Sequence, residues 1–251
     1  MGGMTEPFKL IPDQGNRDIF VFGDHASNYI PPELENLGLR DADMTRHIAL
    51  DIGTATVIRS LCAHFKCPGQ LAGFSRLLID PNRDTSASDL IPESSDGTSI
   101  PGNQALEPTD KQHRIDRFYQ PYHDQIGQTL DRLASPFVIY IHSFTPKPKT
   151  GQARRMDFGL LMKHDPESAV RLRKAFKRAN PEFKIEVNQP YSAEQYNHTM
   201  DTHVAPRILR HLAIEIRQDH IDSEEKALKI AAILAERIGP IIENAVSPNS
   251  N

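Results

Sequence analysis

The chain contains no tryptophan and only two cysteines in 251 residues. Cys62 and Cys67 cannot build a disulfide framework or a four-cysteine zinc site, and they read as two reduced thiols. No run reaches the roughly 18–20 apolar residues that a membrane span needs, so no membrane partner is expected. The opening residues, Met1 to Pro7, hold no basic segment followed by an apolar one. No secretory leader is read there, and the expected location is cytoplasmic. A basic excess is also missing. Twenty-nine Lys and Arg against 33 Asp and Glu leave a net charge of −4, which argues against nucleic acid as a partner. There is no H-E-x-x-H helix, no G-x-S-x-G elbow and no P-loop, which excludes an ordinary zincin, a serine hydrolase elbow and a P-loop nucleotide site.

What is present is a set of short β-rich runs alternating with helical spacing. Ile19 to Phe22 is a buried strand that stops at Gly23, Asp24 and His25. Asp43 to His64 has helical periodicity, with Ile48, Ile52, Ala55 and Ile58 on one face. Leu71 to Ile79 reads as a second strand, closed by Asp80-Pro81-Asn82-Arg83. Residues 84–108 are rich in Ser, Asp, Pro and Gly and read as a long surface loop, a common form for lids and binding loops. A helix is expected from Thr109 or Asp110 to about Leu133, kinked or split at Pro121. Phe137 to Ile141 is the strongest strand signal and delivers His142. A basic loop from Pro146 to Arg155 precedes a strand at Phe158–Met162, a helix at Pro166–Ala179 and strands at Phe183–Val187 and Leu212–Ile216. Asp222 with Glu225 reads as a capping box for a last amphipathic helix carrying Ala227, Ile230, Leu234 and Ile241. The alternation predicts an α/β fold with a largely parallel or mixed central sheet and helices on both faces, in one domain over 1–251 with an extension at 1–17.

Three strand ends then share one edge and can meet there: Asp24 and His25, His142, and Glu215. Two neutral imidazoles and a carboxylate suit a catalytic zinc site with an open position for water. Each histidine alone is more often a hydrogen-bonded strand-end residue than a ligand; it is the pair, each directly after a β-rich run, that points to a metal. Glu215, between Ile214 and Ile216, is a costly place for a lone carboxylate and calls for a metal or an arginine beside it. Arg76 and Arg83 flank one strand and suit bidentate carboxylate binding; surface ion pairs are the alternative reading.

Together these segments resemble a known family. Asp24-His25-Ala26-Ser27-Asn28-Tyr29-Ile30-Pro31, Leu37-Gly38-Leu39, His47 to Gly53, Phe74-Ser75-Arg76 with Asp80-Pro81-Asn82-Arg83, Ile141 to Pro146 and Ile214 to Asp219 resemble N-formylglutamate amidohydrolases over roughly residues 18–222. That family is similar in fold to the zinc carboxypeptidases and phosphorylase/hydrolase-like proteins. The resemblance implies hydrolysis of N-formyl-L-glutamate, or a related N-acyl amino acid, to formate and the free amino acid. One zinc ion per chain would be held by His25 and His142. Asn82 and Arg83 would grip a substrate carboxylate, Arg76 would sit near the scissile carbonyl, Glu215 would be the general base, and His203 would contact substrate. The family's relatives carry a glutamate three residues after the first histidine; here Asn28 stands there, and it is assigned to the substrate side. The third metal ligand is then Asp51, expected on the first helix, with Asp24 and Glu215 as alternatives. A second reading is a binding module on the same fold with a degenerate metal site, which the zinc content of the protein distinguishes from an enzyme.

Overall fold

A computed structural model of the protein describes residues 6–246. Its chain order is β1 (Phe8–Ile11), β2 (Ile19–Gly23), α1 (Asp41–Met44), α2 (Thr54–Phe65), β3 (Gly69–Ala72), a small hairpin of β4 (Ser94–Ser95) and β5 (Thr98–Ser99), α3 (Pro108–Arg114), α4 (Gln120–Arg132), β6 (Phe137–Phe144), β7 (Phe158–Leu161), α5 (Pro166–Ala179), β8 (Ile185–Val187), α6 (His198–His203), β9 (His211–Arg217) and α7 (Glu224–Val246). Seven strands form one sheet in the order β1-β3-β2-β6-β9-β7-β8. β3, β2, β6 and β9 run parallel, β1 is antiparallel at one edge, and β7 with β8 runs against β9 at the other. The sheet is therefore mixed, with helices on both faces.

The central strands are buried along almost their whole length and mostly apolar, because both faces are covered. Val21, Ile139, Leu212 and Ile214 face α2, α5 and α7 through Ile58, Leu172 and Leu234. Phe20, Phe22, Val138 and Tyr140 face the other layer, where Phe118, Tyr122 and Ile126 pack. Burying one such side chain contributes about 1.5–3 kcal/mol, so the two layers together fix the sheet register. The same alternation sends His142, Phe144 and Glu215 to the face of Tyr140 and Ala213, because every second residue shares a face.

Several sequence expectations shift. The helical reading over 43–64 divides into α1, a run of turns and α2. Gly53 causes the break: its φ of 82° is left-handed, and a Cβ there would meet the Ile221 carbonyl at 2.1 Å. The strand read at 71–79 ends at Ala72, and the one read from Phe183 begins at Ile185. Pro121 does not split its helix. A π-helical turn at Ile115–Tyr119 joins α3 to α4 and absorbs the lost backbone donor. The last helix is capped by Ser223 instead of Asp222: Ser223 Oγ accepts from Lys226 N at 3.3 Å, while Asp222 pairs with Lys226 Nζ at 2.7 Å. The extension at 1–17 lies outside the described residues over 1–5, and its residues 8–11 join the sheet as β1. No helix among the described residues is long and apolar enough to cross a membrane.

Candidate metal centre and its cleft

The C-terminal ends of β2, β6 and β9 lie side by side, as parallel strands require, and His25, His142 and Glu215 meet there. His142 and Glu215 are register partners on β6 and β9. Asp51 completes the group, but from the turn before α2 and not from a helix. Its Oδ2 lies 2.7 Å from His142 Nδ1 and 3.5 Å from His25 Nδ1. Thr54 fixes that turn by donating from Oγ1 to the Asp51 carbonyl at 2.7 Å. His25, Asp51 and His142 each offer one ligand atom within 4.8 Å of the others, and all three are buried.

The donor set fits a divalent ion. His25 Nδ1 and His142 Nε2 are buried without a hydrogen-bond partner, a costly state that a cation would relieve. The other ring nitrogen of His25 is 2.8 Å from Asp80 Oδ1, so Nε2–H donates to a carboxylate and leaves Nδ1 bare. That carboxylate–histidine pairing is the usual support behind a metal-ligating imidazole. Two imidazoles and one carboxylate match catalytic zinc, which keeps a fourth position open.

Asp80 was not singled out from the sequence, because its partner lies 55 residues away. It also accepts from Asn82 N at 2.9 Å and from Arg76 NH2 at 3.1 Å. Arg76 NH1 reaches Asp51 Oδ1 at 3.3 Å, so one guanidinium ties both carboxylates together. Burial alone would raise both carboxyls; the His25 charge, helped by His142 at Asp51 and by Arg76 at Asp80, holds them below their usual range. Burial and Arg76 work against the His25 imidazolium, yet Asp80 and Asp51 prevail and push it up to about 9. Glu215 behaves oppositely: burial pushes it up to about 7 against the opposing field of His142. Its Oε2 has no hydrogen-bond partner. Gly159, paired with Glu215 in register, lets the Gln189 carbonyl pack closely, since a Cβ there would lie 2.1 Å from that oxygen and 3.1 Å from Glu215 Cβ.

A cleft of about 510 Å³ opens over these groups, lined by Arg76, Asn82, Arg83, Phe144, Arg154, Tyr191 and Tyr196 among others. The loop at 84–108 forms one wall through Asp89, Pro92 and Asp96. It is pinned down: Leu90 and Ile100 are buried, and Asn103 Nδ2 donates to the Leu77 and Pro92 carbonyls, each at 2.8 Å. Arg83 stacks over the Tyr196 ring at 4.8 Å and pairs with the exposed Asp89 at 2.7 Å. Asn82 Oδ1 accepts from Thr199 N at 3.2 Å, which leaves its amide end at the cleft.

Three expected site residues lie elsewhere. Asn28 is not in the cleft lining; its Nδ2 donates to the Met44 carbonyl at 2.9 Å and anchors α1. His203 is held on α6 behind the Asp80–Arg83 loop, with Nε2 2.8 Å from His123 Nδ1, and does not line the cleft. Asp24, the alternative ligand, is enclosed by hydroxyls from Tyr122 and Thr199, each at 2.6 Å, and from Tyr140. That shell satisfies its carboxylate and turns it away from the metal position. The cleft residues missed in the sequence are Asp80, Arg154, Tyr191 and Tyr196; the last three sit in polar loops without periodicity.

None of the curated proteins matches the sequence. Among solved structures, the gene product Atu2144 from Agrobacterium tumefaciens is similar at 29% identity and a TM-score of 0.89, with 96% of this chain and 97% of that one covered. An N-formylglutamate amidohydrolase from Ralstonia eutropha shares the fold at 17% identity and a TM-score of 0.66, over 96% and 98% of the two chains. A bacteriophage poly-gamma-glutamate hydrolase shares it more loosely, at 10% identity and a TM-score of 0.51, over 97% and 93%. The N-formylglutamate amidohydrolase family model matches residues 18–221, which takes in all three ligand candidates, and the chain belongs to that family.

Proposed function

We propose that the protein is a zinc-dependent amidohydrolase that cleaves an N-formyl amino acid such as N-formyl-L-glutamate to formate and the free amino acid. The observation that carries the proposal is the convergence of His25, Asp51 and His142, two of whose ring nitrogens are buried without partners, under a cleft that also holds an unpartnered Glu215 oxygen. His25, Asp51 and His142 would hold the ion. When bound, zinc lowers the pKa of a coordinated water and polarises a carbonyl.

The chain's own groups supply the remaining steps. Glu215 accepts a proton as water attacks the formyl carbon, then passes it to the leaving nitrogen as the C–N bond breaks. Its burial on the Tyr140 and Ala213 face of the sheet favours the neutral acid, which makes it a ready donor in the second step. Arg76, clamped by Asp51 and Asp80, presents a fixed positive charge toward the developing oxyanion. Asn82 and Arg83 bind the substrate α-carboxylate, with Arg83 exchanging its contact to the solvent-exposed Asp89 for the substrate. Asp80 keeps the His25 ring turned so that Nδ1 stays free. Asp51 offers the carboxylate that Asn28 cannot, which favours the enzyme over a binding module with a degenerate metal site.

Metal analysis of the purified protein combined with a formate-release assay over N-formyl, N-acetyl and N-carbamoyl amino acids tests the proposal. About one zinc per chain and chelator-sensitive formate release are expected. A zinc-loaded protein that turned over none of these amides would overturn it.

A further inference from the structure

Asp24 directly precedes the ligand candidate His25 and is fully buried. Its carboxylate points into the layer of Phe22 and Tyr140, since every second residue of β2 turns that way. Three hydroxyls close on it. Tyr122 from α4 donates to Oδ1 at 2.6 Å, Thr199 from α6 donates to Oδ2 at 2.6 Å, and Tyr140 from β6 donates to the same oxygen as Thr199. Burial, with the Asp24 charge beside them, holds both phenols well above their usual range, so each keeps the proton it donates. Thr199 Oγ1 also lies 3.3 Å from the Pro81 carbonyl, but it has one proton and Asp24 is the nearer acceptor. One carboxylate therefore joins the end of β2 to α4, β6 and α6.

A buried carboxylate is a costly tie for a core, because apolar side chains fill the same space without losing hydration. The far sides of its partners show what it serves. The Tyr140 ring stands edge-on to the His142 ring, with centres 4.3 Å apart and planes at 88°, and it stacks on Phe22 at 4.6 Å. The bond to Asp24 pins the outer end of that ring. Asp51 holds His142 Nδ1 at 2.7 Å, while Tyr140 fixes the plane of the imidazole and so the direction of its unpartnered Nε2. Thr199 acts on the cleft in a similar way. It is fully buried in the first turn of α6, and its backbone N–H donates to Asn82 Oδ1 at 3.2 Å. With its hydroxyl tied to Asp24, Thr199 holds the Asn82 carboxamide with the amide end free.

We propose that Asp24 is a positioning residue that couples the two halves of the site: through Tyr140 it sets the ring of His142 for the metal, and through Thr199 it sets Asn82 for the substrate. The substrate half rests on the amidohydrolase reading; the metal half rests only on the donor set. A shell that merely stabilised the core would act on neither metal affinity nor substrate binding.

The test removes one hydroxyl at a time. Tyr140→Phe keeps the edge-on ring and loses its tether. Its zinc affinity, read by competition with a chelator, should weaken by about tenfold, the lower end for a group that supports a ligand, with KM unchanged. Thr199→Val keeps the shape and the backbone N–H. Its KM for N-formyl-L-glutamate should rise by about three- to tenfold, the scale of one neutral hydrogen bond, with kcat and zinc affinity unchanged. Asp24→Ala should show both losses. Asp24→Asn should restore most of each, because its carboxamide oxygen still accepts from Tyr140 and Thr199 while its amide faces Tyr122. If Asp24→Ala does not fold, the two hydroxyl deletions carry the test. Variants that unfold more easily in urea yet keep zinc affinity and KM overturn the inference, and so does an effect in one arm alone. A wild-type protein without measurable zinc affinity removes the metal arm and the inference with it. If the zinc-loaded protein hydrolyses no N-formyl amino acid, the reaction assignment falls, and calorimetry with L-glutamate reads the Thr199 arm instead. Weaker binding in Thr199→Val than in wild type then keeps the inference, and equal binding overturns it.

Discussion

Two buried histidine pairs lie within the molecule, on either side of the Asp80–Arg83 loop, and their chemistry is opposite. His25 and His142 face Asp51 and Asp80, and two of their ring nitrogens have no partner. His123 and His203 satisfy each other at 2.8 Å, and His123 Nε2 donates to the Pro81 carbonyl at 2.9 Å. Both pairs are buried to a similar depth. Burial pushes His123 down to about 4 and His203 down to about 3, whereas the two aspartates lift His25 to about 9. Depth alone therefore does not make a histidine a candidate metal ligand; the carboxylates around it do, because they supply the field that a cation would share. The back pair is structural: it holds the Pro81 carbonyl, and with it the loop that carries Asp80, Asn82 and Arg83.

The largest effect expected from breaking this contrast is at the front pair. His25→Ala and His142→Ala should each lower zinc from about one per chain toward none and remove formate release with it. His203→Gln should keep its zinc. Metal analysis of the three variants checks the division; a His25→Ala protein with full zinc would strike His25 from the ligand set. Glu215→Gln comes next. The amide keeps the shape and cannot take a proton, so zinc should remain while kcat falls by at least about a hundredfold. Loss of zinc in that variant would make Glu215 a ligand and displace Asp51.

A smaller effect sharpens the role of the carboxylates. Asp80→Asn retains the size of the group but removes the negative charge facing His25 Nε2–H. Zinc affinity should weaken by about 10- to 100-fold, the usual loss for a supporting residue, as read by competition with a chelator. An unchanged affinity would show that Arg76 and Asn82, not His25, are the partners for which Asp80 is placed.

The sequence revealed the parts of this arrangement that depend on short-range pattern. Phe137 to Ile141 is apolar because both sheet faces are covered, and the same fact makes the polar residue after it, His142, conspicuous. Ile19 to Phe22 exposes His25 in the same way. Asp51 was legible as a candidate but not in its setting, since the apolar spacing of Ile48, Ile52, Ala55 and Ile58 runs straight across the turn that Gly53 imposes. His203 sits off the cleft because it pairs with His123, 80 residues earlier, a partner of which its neighbours in sequence say nothing. Asp80 meets His25, and Arg154 lies over Tyr191, only because the folded chain brings them near. Asn28 drew attention for what it replaced, while its contact is the Met44 carbonyl.

The smallest expected effect concerns stability and tests the back pair directly. His123 and His203 are neutral when folded down to about pH 4 and 3, but each titrates near 6.5 when unfolded. Between those values the unfolded chain binds more protons than the folded one, so stability rises with pH there and is lost on acidification. The contribution is fully present above about pH 6.5 and drains away toward pH 3–4; for one such group it amounts to about 3–5 kcal/mol. Carboxylates also lose stability in acid, Asp51 and Asp80 included, so the total slope does not isolate the histidines. His203→Gln does isolate one, because it keeps a side-chain N–H to donate to His123 Nδ1 and every carboxylate is common to both proteins. Urea unfolding of the two proteins at intervals from pH 4.5 to 7 should give the variant the shallower dependence, by up to about 1.4 kcal/mol per pH unit. Parallel curves would mean that His203 takes up its proton while folded, and the contrast between the two pairs would then rest on the orphaned ring nitrogens alone.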